Sequence, residues 1–109
     1  MIDWTQVKSL REEVGPDDFE EVVELFLEEV DEVVSRLATN AQTDVLEEDF
    51  HFLKGSAMNL GFAEFSSLCQ KGEERAARGL AGETDVSEAL DAYQKSKVKF
   101  INDLPNQIC

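Results

Sequence analysis

The stretch HFLKGSAMNLGF, residues 51–62, combines a helical apolar pattern with the only histidine of the chain. Lys54 and Gly55 follow His51 at offsets of three and four residues. On an α-helix these offsets place the three residues on one face, with about 5–6 Å between neighbouring Cβ atoms. Glycine at the fourth position leaves the imidazole uncovered, and it would equally allow close packing of two helices. The stretch therefore predicts either an accessible histidine or a tight helix contact.

The apolar residues around this stretch predict a helix. They recur at steps of four and three residues: Leu46, Phe50, Leu53, Ala57 and Leu60. Asp44 and Glu47 have the spacing of a capping box at its start, and Gly61 is placed to end it in a left-handed turn. His51 lies beside the apolar stripe, so we expect it at the edge of the core.

Amphipathic helices are also predicted on both sides of this one. A short helix begins at Asp3 and ends at Gly15, a long second helix follows, a fourth lies between Gly61 and Gly79, and a last one ends at Pro105. The second helix carries apolar residues on one face and acidic residues on the other: Phe19, Val22, Val23, Phe26, Val30, Val33, Val34 and Leu37 against Glu20, Glu21, Glu24, Glu28, Glu29, Asp31 and Glu32. The predicted core of the last helix is Val86, Leu90, Tyr93, Val98, Ile101 and Leu104.

Four long amphipathic helices with short connections predict an all-α fold. The arrangement that buries all four apolar faces is an antiparallel up-down-up-down four-helix bundle, with the short N-terminal helix capping one end. The apolar stripes are complete within one chain, so we expect a monomer.

Length and composition predict a single domain over residues 1–109. The net charge of −14 disfavours binding to nucleic acid and to anionic membrane surfaces. Cys69 and Cys109 lie far apart and indicate neither a disulfide framework nor a metal site. Neither a secretion signal nor a long apolar run is recognisable, so we expect a cytoplasmic protein.

Most catalytic chemistry lacks its sequence signature in this chain. Glu48 and His51 match one half of a di-iron site, but a second histidine is missing, so no metal is predicted. Phosphate loops, dinucleotide fingerprints and nucleophile elbows are also missing. A histidine on a helix can still act as a nucleophile toward phosphorus, with Lys54 neutralising the transferring oxygens. A neighbouring helix would supply the group that orients the ring, and Gln70 and Glu73 are the candidates.

The motif resembles the signature of histidine-containing phosphotransfer (HPt) domains, which reads H-x-x-K-G-S-S/A followed by an apolar residue and glycine. Residues 51–56 match it, and Asn59, Leu60 and Gly61 continue it. The resemblance implies that His51 is phosphorylated, Lys54 neutralises charge, Gly55 gives access and Ser56 supports the packing. It also implies that Glu73 lies near the histidine, while Gly72 stands where a larger apolar residue is usual.

The resemblance implies a phosphorelay intermediate in two-component signal transduction. Such a phosphoprotein accepts a phosphoryl group from a receiver-domain aspartyl phosphate and passes it to another receiver domain, in a response regulator or a hybrid histidine kinase. It is not an ATP-dependent autokinase and needs no cofactor of its own, because Mg²⁺ is bound by the receiver. Phe52, Met58 and Phe62 are candidate partner contacts, although Phe52 and Phe62 could equally belong to the core.

Two other functions are compatible with parts of the pattern. A histidine-kinase dimerisation domain usually has an acidic residue directly after the histidine, where this chain has Phe52. An adaptor bundle would bind receiver or kinase domains without accepting phosphate. The presence of both His51 and Lys54 favours phosphotransfer over the adaptor.

Overall fold

The computed structural model describes residues 2–40, 45–80 and 86–108, excluding the side chains of residues 40 and 108. Within these ranges the chain is all-helical and contains no strand. The helices are α1 (Trp4–Val14), α2 (Phe19–Asn40), α3 (Leu46–Leu60), α4 (Ala63–Ala77) and α5 (Ser87–Ile108). The predicted number and order of helices is therefore confirmed. The capping box at Asp44 lies outside the described residues.

The core forms where α3 packs against α4, α4 against α5, and α2 against both α3 and α5. All five apolar residues predicted for α3 are buried. The centre is aromatic, since Phe62 packs on Tyr93 and Phe100, and Phe65 packs on Tyr93 with ring centroids 5.1 Å apart. These contacts hold the pair of helices α3 and α4, which carries the predicted site, on α5.

The connection between α3 and α4 is short and tightly held. Gly61 adopts the predicted left-handed conformation, with φ 74°, and its N–H bonds back to α3. The N-terminal segment closes over this turn, because the Asp3 N–H donates to the Gly61 carbonyl at 2.7 Å and Ile2 pairs with Phe62. The Asp3 side chain also caps α1, as predicted. Helix α1 thereby packs against α2 and α3.

Two polar clusters tie α2 to its neighbours. Arg36 on α2 forms a two-pronged ion pair with the buried Asp49 on α3, at 2.6 and 2.9 Å. Asp31 on α2 accepts hydrogen bonds from Tyr93 and Lys97 on α5. The prediction that placed Asp31 on the solvent face of α2 is therefore wrong, because this carboxylate lies on the flank that meets α5.

The prediction for the last helix was wrong in two respects. Val98 is 59% exposed and Ile101 is also exposed, whereas Ala89, Ala92, Ser96 and Phe100 are buried around Tyr93. Pro105 does not end the helix, which continues to Ile108. A proline fixes φ at a helical value and removes one N–H donor. Because Ile101 and Pro105 are exposed, water can hydrate the carbonyl that loses this partner.

Among the helices of the described ranges, none is both long enough and apolar enough to cross a membrane.

Candidate functional site

His51 lies on the solvent side of α3, one position from the buried Phe50. Its side chain is 70% exposed. The apolar stripe of α3 holds the helix in the core, and the histidine at its edge stays accessible to another molecule. This position agrees with the expectation that His51 lies at the edge of the core.

Glu73 on α4 contacts two residues of α3 at once. One carboxylate oxygen lies 2.8 Å from Nδ1 of His51, and the other lies 2.6 Å from Nζ of Lys54. Lys54 holds the pKa of Glu73 below its usual range; the hydrogen bond with His51 lowers that pKa further, and partial burial opposes both effects. Glu73 is therefore a carboxylate at neutral pH.

The charge of Glu73 determines which ring nitrogen of His51 carries the proton. A carboxylate can only accept a hydrogen bond, so Nδ1 must be the donor. In the neutral imidazole the other nitrogen, Nε2, then has a free lone pair. The arrangement presents an exposed nucleophilic nitrogen on a ring of fixed orientation.

The surroundings of His51 form a shallow acidic groove. It has a volume of ≈ 500 Å³ and is lined by Glu47, Glu48, His51, Phe52 and Glu73. Across the three described ranges, no group of three or more His, Cys, Asp and Glu side chains is arranged to hold a metal ion. The groove is therefore an open surface around one imidazole.

Gly55 lies on the exposed face of α3 beside His51. A Cβ atom built on Gly55 would meet nothing within 4 Å. Close packing between the described helices therefore does not require glycine here, and the space next to the histidine is open. Ser56, the next residue, is buried.

The two candidates for orienting the ring lie in different environments. Glu73 reaches His51, whereas the side-chain amide of Gln70 donates to Glu74 at 3.3 Å. Both residues lie on α4, but only Glu73, three residues after Gln70, is level with His51.

The three candidate partner contacts also differ. Phe52 and Met58 are exposed on α3, Met58 by 59%. Phe62 is completely buried among the core aromatics, so its prediction as a partner contact is wrong. Phe62 directly follows the turn at Gly61, which directs its ring inward toward α5.

Close packing of α3 on α4 depends on Gly72, a role that was not predicted from the sequence. A Cβ atom on Gly72 would lie 2.6 Å from the ring of Phe50. Gly72 thus makes room for a large side chain of the facing helix, next to Glu73. A glycine inside a predicted helix, opposite a large aromatic residue, was the signal that could have revealed this contact.

Cys69 lies one turn before Glu73 and is buried in the core. Burial raises the pKa of its thiol to about 12. The thiolate is the reactive form of cysteine, so this residue is a core residue and not a second nucleophile.

The comparisons with known proteins identify the family. The Hpt domain family model matches residues 21–98, which include α3, α4 and most of α2 and α5. No curated protein and no solved structure gives a significant match to the chain. Hpt domains are phosphotransfer carriers that interact with receiver domains in two-component systems. The chain belongs to the Hpt domain family and is thereby part of histidine phosphotransfer in phosphorelay signalling.

Proposed function

We propose that this chain is a phosphorelay intermediate that accepts a phosphoryl group from a receiver-domain aspartyl phosphate onto His51 and passes it to a second receiver domain. The observation that supports this most directly is the exposed imidazole with its Nδ1 bonded to Glu73. Such a ring has one nitrogen held by the protein and the other free to attack phosphorus.

In the proposed reaction, Nε2 of His51 attacks phosphorus while the bond from phosphorus to the aspartyl oxygen breaks. The receiver carboxylate leaves, and the reverse reaction on another receiver returns the phosphoryl group to an aspartate. Lys54, one turn from His51, is the cation that would neutralise the transferring oxygens. Mg²⁺ would belong to the receiver, and this chain would need no cofactor and no ATP.

The remaining features of the proposal concern the protein as a whole. The chain would act as one domain over residues 1–109, folded as an antiparallel up-down-up-down bundle with α1 capping one end. It would work as a monomer in the cytoplasm. Ser56 would support the packing beneath the site, and Phe52 and Met58 would contact the receiver, because both are exposed on the helix that carries His51.

The experiment that tests the function is phosphoryl transfer from a panel of phosphorylated receiver domains to the purified chain, beside a His51→Gln variant. We expect rapid labelling from some receivers, with label that is labile in acid and stable in base. If receivers that demonstrably bind the chain transfer no label, the adaptor function is correct and phosphotransfer is not.

Replacement of Gly55 with alanine should separate stability from transfer. Alanine at this exposed helical position should raise the free energy of unfolding by about 0.5–1 kcal/mol, because it restricts the unfolded chain and meets no atom in the fold. The same methyl group would stand where the receiver approaches His51. Misplacement of reacting groups is costly, so transfer should slow by about tenfold or more.

Urea unfolding and the initial rate of labelling measure the two effects of Gly55→Ala. A suitable comparison is Gly79→Ala, which removes another exposed glycine with open space around it, away from His51, although at φ 82°. That variant should lose stability and keep its transfer rate. If Gly55→Ala transferred as fast as the wild type, Gly55 would have no role in access.

Electrostatic steering by the acidic face of α2 should make docking dependent on salt. Six of its glutamates are exposed: Glu20, Glu21, Glu24, Glu28, Glu29 and Glu32. Exposed charges act at a distance only while salt does not screen them, and the Debye length falls from about 10 Å at 0.1 M to about 3 Å at 1 M. We expect the association rate with a receiver, measured by stopped flow, to fall as salt rises. An association rate that is unchanged by salt would refute steering.

A further inference from the structure

Phosphorylation of His51 at Nε2 changes the charge of its ring and the state of the proton on Nδ1. In the resting site Nδ1 carries a proton that it donates to Glu73, and Nε2 carries the lone pair. When Nε2 forms a bond to phosphorus, both ring nitrogens have a substituent, and the ring is an imidazolium with a positive charge. The proton on Nδ1 then either stays or leaves. Its fate decides how readily the next transfer proceeds.

The next transfer depends on the leaving group. A receiver carboxylate attacks phosphorus, and the bond from phosphorus to Nε2 breaks. If Nδ1 has kept its proton, the departing group is neutral imidazole. If the proton has been lost, the departing group is an imidazolate anion, which is a far stronger base and a poor leaving group. A site that retains the proton therefore keeps the phosphoryl group transferable.

The contacts of Glu73 favour the charged form of its side chain. Its side chain is only 20% exposed, and its two oxygens are divided between Nδ1 of His51 and Nζ of Lys54, at 2.8 and 2.6 Å. The lysine contact favours the ionised carboxylate, and the histidine contact places the negative charge directly against the N–H group. A charge in this position stabilises an imidazolium more strongly than a neutral imidazole.

We propose that Glu73 retains the proton on Nδ1 of His51 throughout the phosphorylated state, so that the histidine leaves as neutral imidazole in the onward transfer. This inference rests on the proposed function. It assigns Glu73 a role that needs its charge, beyond orienting the ring. Glu73 acts through His51 and is a positioning residue.

The other charges near the ring are compatible with this role. Glu47 and Glu48 line the same groove and also favour a positive ring. Lys54 opposes it, but its ammonium group is bonded to Glu73. Helix α2 presents Arg36 to Asp49, where the two charges pair with each other. Helix α1 contributes no residue to the groove lining.

Replacement of Glu73 with glutamine tests the proposal, because the amide oxygen can still accept a hydrogen bond from Nδ1 but carries no charge. The matched control is Glu74→Gln, which removes one charge from the next residue of α4, on the groove that faces α5. The measured quantity is the rate of transfer from each phosphorylated variant to one receiver, divided by the wild-type rate at the same pH. This ratio removes the receiver's own dependence on pH.

We expect the ratio for Glu73→Gln to lie near one at about pH 6, where a histidine ring is readily protonated, and to fall to about one tenth by about pH 8. The ratio for Glu74→Gln should stay near one throughout. A ratio for Glu73→Gln that does not change with pH would overturn the proposal and leave Glu73 with orientation alone.

A spectroscopic measurement decides the point without any receiver. Phosphoramidate can phosphorylate histidine directly, and the ¹⁵N chemical shift of Nδ1 then reports its proton. In the wild-type chain the proton should persist to higher pH than in the Glu73→Gln variant, whereas Glu74→Gln should match the wild type. Loss of the proton at the same pH in the wild type and in Glu73→Gln would overturn the inference even if receivers transfer to His51. Proton retention without transfer from any receiver would instead overturn the proposed function.

Discussion

Replacement of His51 with glutamine is expected to reduce labelling from phosphorylated receivers to background while receiver binding persists. The amide nitrogen of glutamine has no available lone pair for attack on phosphorus, so the variant lacks the nucleophile. Because the His51 side chain is 70% exposed, its loss should change the free energy of unfolding by no more than about 0.5 kcal/mol. The His51→Gln substitution should therefore abolish phosphoryl transfer without affecting folding.

Urea unfolding and receiver binding of the His51→Gln variant supply the controls. Binding within about twofold of the wild type would show that the docking surface is intact. Label that persists in the variant would contradict the assignment of His51. Its stability would then identify the acceptor class, since an acyl phosphate on one of the glutamates of the groove is labile in base, whereas phosphohistidine is not.

Replacement of Gly61 with alanine is expected to cause a large loss of stability. Gly61 has φ 74°, where a side chain costs about 1–2 kcal/mol. Its Cβ atom would also lie 2.5 Å from the Asp3 carbonyl oxygen and 3.1 Å from Val7. Backbone cannot move aside as a flexible side chain can, so the contact adds about 1–3 kcal/mol. The free energy of unfolding should fall by about 2–5 kcal/mol in all.

Gly79→Ala is the matched control for this variant. Gly79 also follows a helix end at a positive φ, of 82°, with the Leu80 N–H bonded back to the Arg75 carbonyl, but a Cβ atom there would meet nothing within 4 Å. It should show the conformational cost alone, about 1–2 kcal/mol. Urea unfolding of both variants would isolate the contact between the N-terminal segment and the turn. Equal losses in the two variants would mean that this contact contributes nothing measurable.

The buried face was predicted correctly for α3 but only in part for α5. In α3 the apolar residues follow steps of three and four without interruption, and all five proved buried. In α5 the large residues Val98 and Ile101 were predicted to lie in the core, but they are exposed. The buried face includes Ala89, Ala92 and Ser96 instead. Small residues give a weak hydrophobic signal, yet they are the ones that fit beneath a neighbouring helix. Which face of α5 is buried could therefore be determined only from the helices that pack against it.

The sequence by itself determined that this chain is helical, which helix carries the histidine, and that His51, Lys54 and Gly55 share one face, because these properties depend on residue spacing along a single helix. Only the tertiary structure decided that Glu73, and not Gln70, reaches the ring, and that Phe62 turns inward. The first depends on how closely α4 lies on α3, where Phe50 packs on Gly72, and the second depends on the turn at Gly61, which directs the Phe62 ring toward α5. A contact between two helices depends on the fit of both surfaces, so it cannot be predicted from the spacing of residues along either helix alone.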